Sequence, residues 1–305
     1  MTEKIGIHWL TSRLQHLTIR VSISNDHKQE TAMRNPKTVF TVGAACLALF
    51  TLATTENSAQ TPQTFQGSNI EEFLSRAKIT GIKDIGLGVT LPVKATLELE
   101  GVKGYGVFKT IDESAKTKQL DRGIELEFQD SWRTEVAAYE LDKLMGLGMV
   151  PATVERTYDG KKGSLQFWVD SKMSEAERVK KKLQPPRTFE WEEQVARLRL
   201  FDNLIYNTDR HLNNLLITED WKIRLIDHSR TFRPFEQLKD QKQLTRFSRS
   251  LLEKLETLNE PLIKERLGKY LTPYQIQGLL KRRDAILALA QKLIGEKGAG
   301  AVLYR

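Results

Sequence analysis

The spacing of hydrophobic and polar positions changes near the middle of the chain. Upstream of residue 170, short apolar runs rich in β-branched residues alternate loosely with polar residues, a pattern that predicts strands. The exception is 131–145, where apolar residues recur at helical spacing before Gly146. Downstream of residue 186 the spacing is mostly helical. The predicted strands are 83–99, 105–111, 150–156 and 164–169, and the predicted helices are 71–78, 131–145, 191–204, 244–258 and 273–293.

These elements predict an α+β fold with two lobes. A small β-rich lobe at 68–170 precedes a larger helical lobe at 171–294, and two such lobes leave a cleft between them. We predict a charged loop at 112–130 and a charged connector, ending in prolines, at 170–186. The glycine-containing end, 295–305, is predicted to be a flexible tail.

The N-terminal stretch resembles a leader. Met33 begins a basic segment that precedes an uncharged, mostly apolar run at 38–53 and then Thr-, Gln- and Ser-rich sequence. We therefore interpret 33–59 as an export signal, and 1–32 as an extension upstream of a second possible start. Two alternatives stay open: a buried or anchoring helix, or an uncleaved anchor if 1–32 is translated. The expected location is periplasmic or secreted, or membrane-anchored without cleavage; a cleaved signal would leave no membrane span in the mature chain.

Composition excludes some function classes and leaves others open. The chain has 305 residues, of which 40% are hydrophobic and 28% are charged, as is ordinary for a globular protein. The single cysteine, Cys46, excludes a disulfide framework, and the five histidines lack zinc-ligand spacing. The net charge of +8 favours an anionic partner such as a nucleotide, an acidic protein, a phospholipid surface or nucleic acid. Because aromatic and basic residues are not interleaved, we expect no nucleic-acid partner.

The densest polar cluster lies at 207–214 and is followed by a predicted hairpin, 215–226. Asp209 precedes Asn214 by five residues, and Asp227 follows the hairpin. Phosphoryl transfer needs an acidic group near the attacking hydroxyl, oxygen ligands for Mg²⁺ and a cation on the phosphates, and this order and spacing match the protein-kinase pattern. Carboxylate and amide oxygens are ligands that Mg²⁺ prefers. Alternatively, Asp209 could end a helix, Asn214 could be a turn residue and Asp227 could cap a strand end. Three independent spacings would then have to coincide with the kinase pattern by chance.

Residues 209–214, Asp-Arg-His-Leu-Asn-Asn, resemble the catalytic loop of phosphoinositide 3- and 4-kinases. Residues 226–229, Ile-Asp-His-Ser, stand where those enzymes have Asp-Phe-Gly, with His-Ser in place of Phe-Gly. Similar loops occur in HipA-type kinases and in secretory-pathway casein kinases, which the chain also resembles at 135–142. The resemblance covers roughly 86–232 and implies an atypical kinase-like enzyme that uses ATP with Mg²⁺ or Mn²⁺.

This resemblance implies a role for each candidate catalytic and metal-binding residue. Asp209 would position or deprotonate the acceptor hydroxyl, and Asn214 and Asp227 would bind the metal. Lys109 ends an apolar strand and would hold the α- and β-phosphates, while Glu135, in the first turn of the next helix, would orient it.

The remaining nucleotide contacts follow from position in the kinase fold. Gly88 and Thr90 lie where the phosphate-covering turn should be, and backbone amides together with the Thr90 hydroxyl could contact phosphate. The Gly-x-Gly-x-x-Gly pattern is missing there. Residues 166–170 would be the hinge, where backbone groups of Phe167, Trp168 and Val169 could contact adenine.

Several alternatives remain open from the residues alone. His211 is either the base that accepts the acceptor proton or a residue that holds Asp227 by a hydrogen bond. Taken singly, Lys109 could be a strand-edge charge and Glu135 a carboxylate that stabilises a helix dipole. The basic run 178–182 could gather an acidic substrate or a lipid headgroup, although a solvated surface is the favoured interpretation. The predicted function is γ-phosphoryl transfer from ATP to a hydroxyl of a protein, lipid or small molecule; the competing hypotheses are a pseudokinase and a nucleotidyl transferase on a kinase-like fold.

Overall fold

The computed structural model describes residues 68–86, 92–121 and 123–305, which belong to one compact unit. The predicted extension at 1–32 and export signal at 33–59 lie outside the described residues, as do Gly88 and Thr90. Within the described ranges, no helix combines the length and the apolar character needed to cross a membrane.

Short strands dominate the first half of the described chain, and longer helices dominate the second half. The strands are β1 Lys78–Asp84, β2 Val93–Leu99, β3 Val102–Lys109, β4 Asp112–Leu120, β5 Gly123–Ser131, β6 Thr153–Tyr158, β7 Lys161–Phe167, β8 Met173–Ser174, β9 Leu215–Ile217, β10 Ile223–Leu225, β11 Phe247–Ser248 and β12 Leu303–Tyr304. The helices are α1 Ser68–Arg76, α2 Trp132–Met145, α3 Glu175–Lys180, α4 Thr188–Leu204, α5 Arg249–Thr257, α6 Glu260–Leu267, α7 Pro273–Lys297 and α8 Ala299–Val302.

A five-stranded antiparallel sheet forms the first lobe. Its strand order is β1-β2-β3-β7-β6, which makes β3 the central strand. Helix α1 packs against β2, β6 and β7, and its Phe73 shares a buried cluster with Leu97, Phe108 and Leu165. Because successive side chains of a strand point to opposite faces, Lys109 leaves the sheet on the face opposite Phe108.

Helix α2 begins and ends at residues with clear local signals. The Oγ of its N-cap, Ser131, accepts a hydrogen bond from the N–H of Arg133, and Gly146 ends it with a left-handed φ of 62° that glycine adopts without strain. The Asp142 carboxylate then accepts hydrogen bonds from the three backbone N–H groups of 148–150. These contacts set the direction in which the chain continues to β6.

The charged segment 112–130 forms a hairpin, so the predicted loop was wrong. Strands β4 and β5 pair from Asp112 with Ser131 to Leu120 with Gly123, and they form a sheet separate from the five-stranded one. Most side chains of β4 are exposed, so the hairpin lacks the buried apolar face that sequence patterning detects. The base of this hairpin runs directly into α2.

Helices α4 to α7 build the second lobe around a buried core that includes Phe201, Leu204 and Ile286. Arg282 of α7 is fully buried and donates hydrogen bonds to the carbonyl oxygens of Leu204 at 2.8 Å and Arg233 at 3.0 Å. Burial lowers the pKa of Arg282 to about 9. This side chain ties α7 to the segment that follows the β9–β10 hairpin. The described chain therefore has the predicted two-lobed α+β fold, with a β-rich lobe and a helical lobe.

Besides the β4–β5 hairpin, β1 and β11, two further regions contain elements that the pattern of the sequence did not predict. The connector 170–186 includes β8, which pairs with β9, and the short helix α3. Helix α6 was not predicted either. Its sequence does carry start signals, because the side chain of its N-cap, Asn259, accepts a hydrogen bond from the N–H of Leu262 and a proline follows the cap. A helix of eight residues is too short for a clear hydrophobic period.

The end of the chain, 295–305, was predicted to be a flexible tail, but it contains the end of α7, α8 and β12. Helix α7 continues to Lys297, and β12 pairs in parallel with β11. Val302 and Tyr304 are buried, and the Tyr304 hydroxyl donates to the carbonyl oxygen of Glu193 at 3.3 Å. The glycines suggested mobility, but two apolar side chains with a partner strand hold the segment in place.

Candidate active site

Lys109 joins two acidic side chains that are far apart in the sequence. Its Nζ lies 2.5 Å from Oε1 of Glu135 and 2.8 Å from Oδ1 of Asp227. The Lys109 side chain is 11% exposed and that of Glu135 only 2%, whereas that of Asp227 is 36% exposed. The structure thus brings together three of the residues predicted for the phosphate and metal end of the cleft.

Burial and ion pairing oppose each other in this cluster. Burial alone would lower the pKa of Lys109, but Glu135 and Asp227 outweigh it and raise that pKa above its usual value. Burial alone would raise the pKa of Glu135, but Lys109 and His228 hold it well below its usual range. Lys109 and Glu135 are therefore both charged at neutral pH, and the cleft contains a fixed cation.

The close approach of two strands sets where Lys109 leaves the sheet. Lys109 pairs with Ser164 of β7, and the neighbouring residue on that strand is Gly163. A Cβ atom at Gly163 would overlap the carbonyl oxygen of Lys109 and the ring of Phe108. Glycine at this position therefore permits the backbone geometry from which the lysine reaches Glu135.

Side-chain to backbone hydrogen bonds order the loop between α4 and β9. The Oδ1 of Asn207 accepts a hydrogen bond from the N–H of Asp209 at 2.9 Å, and Nδ2 of Asn214 donates to the carbonyl oxygen of Asp209 at 3.2 Å. Asn214 is buried, whereas the Asp209 side chain is 33% exposed and lies 3.9 Å from Arg230. The loop therefore presents the Asp209 carboxylate to solvent in a defined position.

Arg210 connects the two halves of the predicted site. Its guanidinium donates to the Asp202 carboxylate, with Nε 3.0 Å from Oδ2. Its Nη1 donates to the carbonyl oxygens of Asn214 at 3.1 Å and Ile226 at 2.7 Å. Its Nη2 lies 2.9 Å from Nε2 of His228. Arg210 therefore holds the loop that contains Asn214 against the segment that follows the hairpin.

His228 is fully buried where the resemblance expects phenylalanine. Because a guanidinium only donates, the Nε2 that faces Arg210 must accept, which places the ring proton on Nδ1. Nδ1 lies 3.8 Å from Oε2 of Glu135, and the backbone N–H of His228 donates to the same oxygen at 3.0 Å. The ring also packs edge-on against Phe201. Burial lowers the pKa of His228, so a neutral imidazole occupies this position.

Asp227 has a left-handed backbone conformation, with φ 62°. This region is uncommon for residues other than glycine and occurs often at functional sites. Ser229 follows two residues later, and its Oγ donates to Oδ1 of Asp227 at 3.4 Å. The serine in place of the expected glycine thus contacts the carboxylate that the sequence predicts as a metal ligand.

His211 lies on the exposed side of the loop. No hydrogen bond between its imidazole and Asp227 is present among the described residues, and the role of holding Asp227 stays a prediction. Its role as the acceptor base stays a prediction.

The predicted hinge, 167–169 (Phe, Trp, Val), follows β7 directly. The N–H of Trp168 donates to the carbonyl oxygen of Tyr105 at 3.0 Å. Lys94 Nζ lies 3.8 Å from the centre of the Trp168 ring and 4.2 Å from that of Tyr105. Lys94 pairs with Val107 and so lies on the same face of the sheet as the site lysine. Sequence reasoning missed Lys94, because a strand lysine gives no signal until its aromatic neighbours are known.

Asp130, the last residue but one of β5, also lies in this cleft and was not predicted. It is 8% exposed, and its neighbours include Asp227, Lys109 and Arg230. Burial raises the pKa of Asp130 above its usual value. The segment was predicted to be a loop, so no pattern distinguished this carboxylate from the other charges around it.

The oxygen donors of this cleft fit a hard divalent cation. Asp227 and Asn214 are the predicted ligands, and Oδ1 of Asp130 is a buried oxygen for which the described residues provide no hydrogen-bond donor. No group of three or more His, Cys, Asp or Glu residues in the described ranges could hold a metal by itself. Mg²⁺ is usually held by one or two carboxylates together with substrate phosphates and water, and the residues present match that arrangement.

No protein-family model and no curated protein sequence matches the chain. Solved structures do match its fold. A hydra Fam20 structure with sugar has a TM-score of 0.58 at 18% identity, over 77% of this chain and 91% of that one. The golgi casein kinase has a TM-score of 0.54 at 15% identity, over 77% and 78% of the two chains. The Helicobacter pylori proinflammatory kinase CtkA has a TM-score of 0.45 at 11% identity, over 73% and 98%.

The lobes, together with the matches to the hydra Fam20 and golgi casein kinase structures, define a kinase-like fold. More particularly, the chain shares the fold of the hydra Fam20 structure and of the golgi casein kinase.

Proposed function

We propose that the protein is an ATP-dependent phosphotransferase that moves the γ-phosphoryl group to a hydroxyl of a protein, lipid or small molecule. The observation that carries this proposal is the position of Lys109, within 2.5 Å of Glu135 and 2.8 Å of Asp227. In protein kinases the strand lysine must be paired with the helix glutamate, and the metal-binding aspartate must be in place, before transfer occurs. The arrangement of these three side chains supports a competent cleft.

Each residue of the site would have a separate task. Asp209, with its partly exposed carboxylate, would orient the acceptor hydroxyl and take up its proton. Lys109 would hold the α- and β-phosphates, and Glu135 would keep it in position. Asn214 and Asp227 would hold Mg²⁺ or Mn²⁺. Such an ion, when bound, neutralises charge on the β- and γ-phosphates.

The base and the outer phosphates would be held by backbone groups. The hinge at 167–169 would contact adenine. Gly88 and Thr90, which lie outside the described residues, would contact phosphate through backbone amides and the Thr90 hydroxyl.

The test incubates the full-length chain with Mg²⁺ and ATP labelled on the γ-phosphate or, in a parallel reaction, on the α-phosphate. Dephosphorylated casein, phosphatidylinositol vesicles and inositol serve as acceptors. We expect transfer of the γ label only, and its loss in Asp227→Asn and Lys109→Met. The control is Glu113→Gln, because Glu113 is a half-exposed carboxylate on β4 and its removal should leave the rate unchanged.

Two other outcomes would replace the proposal. Transfer of the α label would indicate nucleotidyl transfer. Thermal stabilisation by ATP without label transfer to any acceptor would indicate a pseudokinase.

We propose that a protein is the acceptor and that the mature chain is exported. The first part is supported by the fold shared with the golgi casein kinase, and the second by the apolar run within 33–59. Casein labelled in preference to the lipid and to inositol would support the first part. N-terminal sequencing of the mature protein, with separate assays of soluble and membrane fractions, tests the second, since an uncleaved anchor would keep the chain in the membrane fraction.

A further inference from the structure

Asp130 is a buried carboxylate to which the proposed phosphotransferase function assigns no role. It is 8% exposed, and although Ser229 hydrogen-bonds its carboxylate, the described residues place no hydrogen-bond donor at its Oδ1. An ionised carboxylate is costly to bury without compensation, and native structures rarely leave such an oxygen without a partner. A ligand that is bound only when the protein functions would explain this oxygen.

The backbone holds Asp130 beside the metal-binding segment. The next residue, Ser131, donates its N–H to the carbonyl oxygen of Ser229 at 2.9 Å, and Thr134 Oγ1 donates to the same oxygen at 3.0 Å. Ser229 in turn contacts Asp227. These hydrogen bonds hold the end of β5 against the segment after Asp227. They therefore fix the backbone of Asp130 relative to Asp227.

The charges around Asp130 leave an excess of negative charge in the cleft. Asp130, Asp227 and Glu135 are close to Lys109, which already contacts the second and third of these carboxylates. Arg230 is also near Asp130, but it pairs with Glu125 at 2.7 Å. The local cations are therefore shared, and an added divalent cation would compensate the remaining charge.

We propose that Asp130 is a ligand, together with Asp227, of the divalent cation that accompanies the nucleotide. Two carboxylates with the phosphates of a nucleotide form the usual environment of Mg²⁺ or Mn²⁺. Ser229 supports this arrangement because its side chain contacts both carboxylates, that of Asp227 at Oδ1 and that of Asp130. This inference rests on the proposed function, since it requires a metal-bound nucleotide in the same cleft.

The test measures binding of Mn²⁺ to the full-length chain by the EPR signal of free Mn²⁺, with saturating adenylyl imidodiphosphate. Wild type is compared with Asp130→Asn, Asp227→Asn and the control Glu113→Gln. We expect Asp130→Asn to weaken Mn²⁺ binding by at least about tenfold, and the control to bind as wild type does. Nucleotide affinity in EDTA should be unchanged or tighter in Asp130→Asn, because a negative charge is removed from the cleft.

Thermal unfolding separates a metal ligand from a residue of purely structural importance. Without metal, Asp130→Asn should melt at a higher temperature than wild type, because an uncompensated buried charge is gone. With Mn²⁺ and nucleotide, wild type should gain more stability than the variant. Asp130→Glu, which keeps a carboxylate, should recover part of the Mn²⁺ affinity.

The outcomes distinguish this inference from the proposed function. Equal Mn²⁺ affinity in wild type and Asp130→Asn, with a loss in Asp227→Asn, would overturn the role of Asp130 and leave the phosphotransferase proposal intact. No binding of Mn²⁺ with nucleotide by wild type would overturn both.

Discussion

Replacement of Glu135 by glutamine tests the central ion pair of the cleft. The Glu135 side chain is 2% exposed, and its two oxygens accept from Lys109 Nζ at 2.5 Å and from the N–H of His228 at 3.0 Å. Loss of one partner of a buried pair costs about 3–5 kcal/mol. Asp227 still contacts the lysine in the variant, and the amide oxygen of glutamine still accepts one hydrogen bond. We therefore expect the lower end of this range, about 3 kcal/mol.

Urea unfolding of the full-length chain measures this change in the free energy of unfolding. The same loss should lower Tm by about 6–12 °C, given about 2–4 °C per kcal/mol in a domain of this size. Glu72→Gln on α1 is the control, because the Glu72 side chain is 56% exposed and pairs with Arg76 at the surface. Surface pairs contribute about 0–1 kcal/mol each, so the control should unfold close to wild type.

The pH dependence gives a second check on Glu135. Its pKa is lowered in the folded state, so its contribution is present above the unfolded value of about 4.3 and is lost as pH falls below it. The stability difference between wild type and Glu135→Gln should therefore shrink in acid. A difference smaller than about 1 kcal/mol at neutral pH would show that the cleft does not depend on this pair.

Three further predictions concern positions on which the site and the fold depend. Burial lowers the pKa of His228, so the unfolded state binds more protons than the folded state below about pH 6.5, and stability is lost as pH falls. The urea midpoint of His228→Phe should therefore change less than that of wild type between about pH 7.5 and 5.5. An equal change in the two proteins would contradict the neutral buried imidazole. Gly163→Ala should destabilise the protein by about 1–3 kcal/mol in urea unfolding and reduce phosphoryl transfer, because the new Cβ displaces the backbone of Lys109; wild-type behaviour in both assays would refute this. Tyr304→Ala should cost about 3 kcal/mol of unfolding free energy, whereas a mobile tail would leave stability unchanged.

The order of the candidate site residues was accessible from the sequence because it depends on short separations. Asp209 and Asn214 are five residues apart, and one hairpin separates them from Asp227. Local spacing of this kind survives in any fold that forms the loop and the hairpin. The two-lobed α+β architecture was also predictable, since strand-like and helical spacing occupy different halves of the chain.

Surface strands and the packed end of the chain were not accessible in the same way. The β4–β5 hairpin has a polar exterior, and its register depends on pairing between its own two strands. The end of the chain is held by β11, which lies more than fifty residues earlier in the sequence. Periodicity reports the burial of one segment and contains no information about its partner.

The residue types proposed for phosphoryl transfer and their order could be read from the amino-acid sequence, because both are properties of a local stretch of chain. The contact of Lys109 with Asp227, which is 118 residues away, and the position of His228 as a neutral, buried link between Arg210 and Glu135 follow from long-range packing. It also placed Asp130 beside the same cluster. These contacts depend on how the sheet, α2 and the helical lobe pack, and burial among those elements sets the charge of each group.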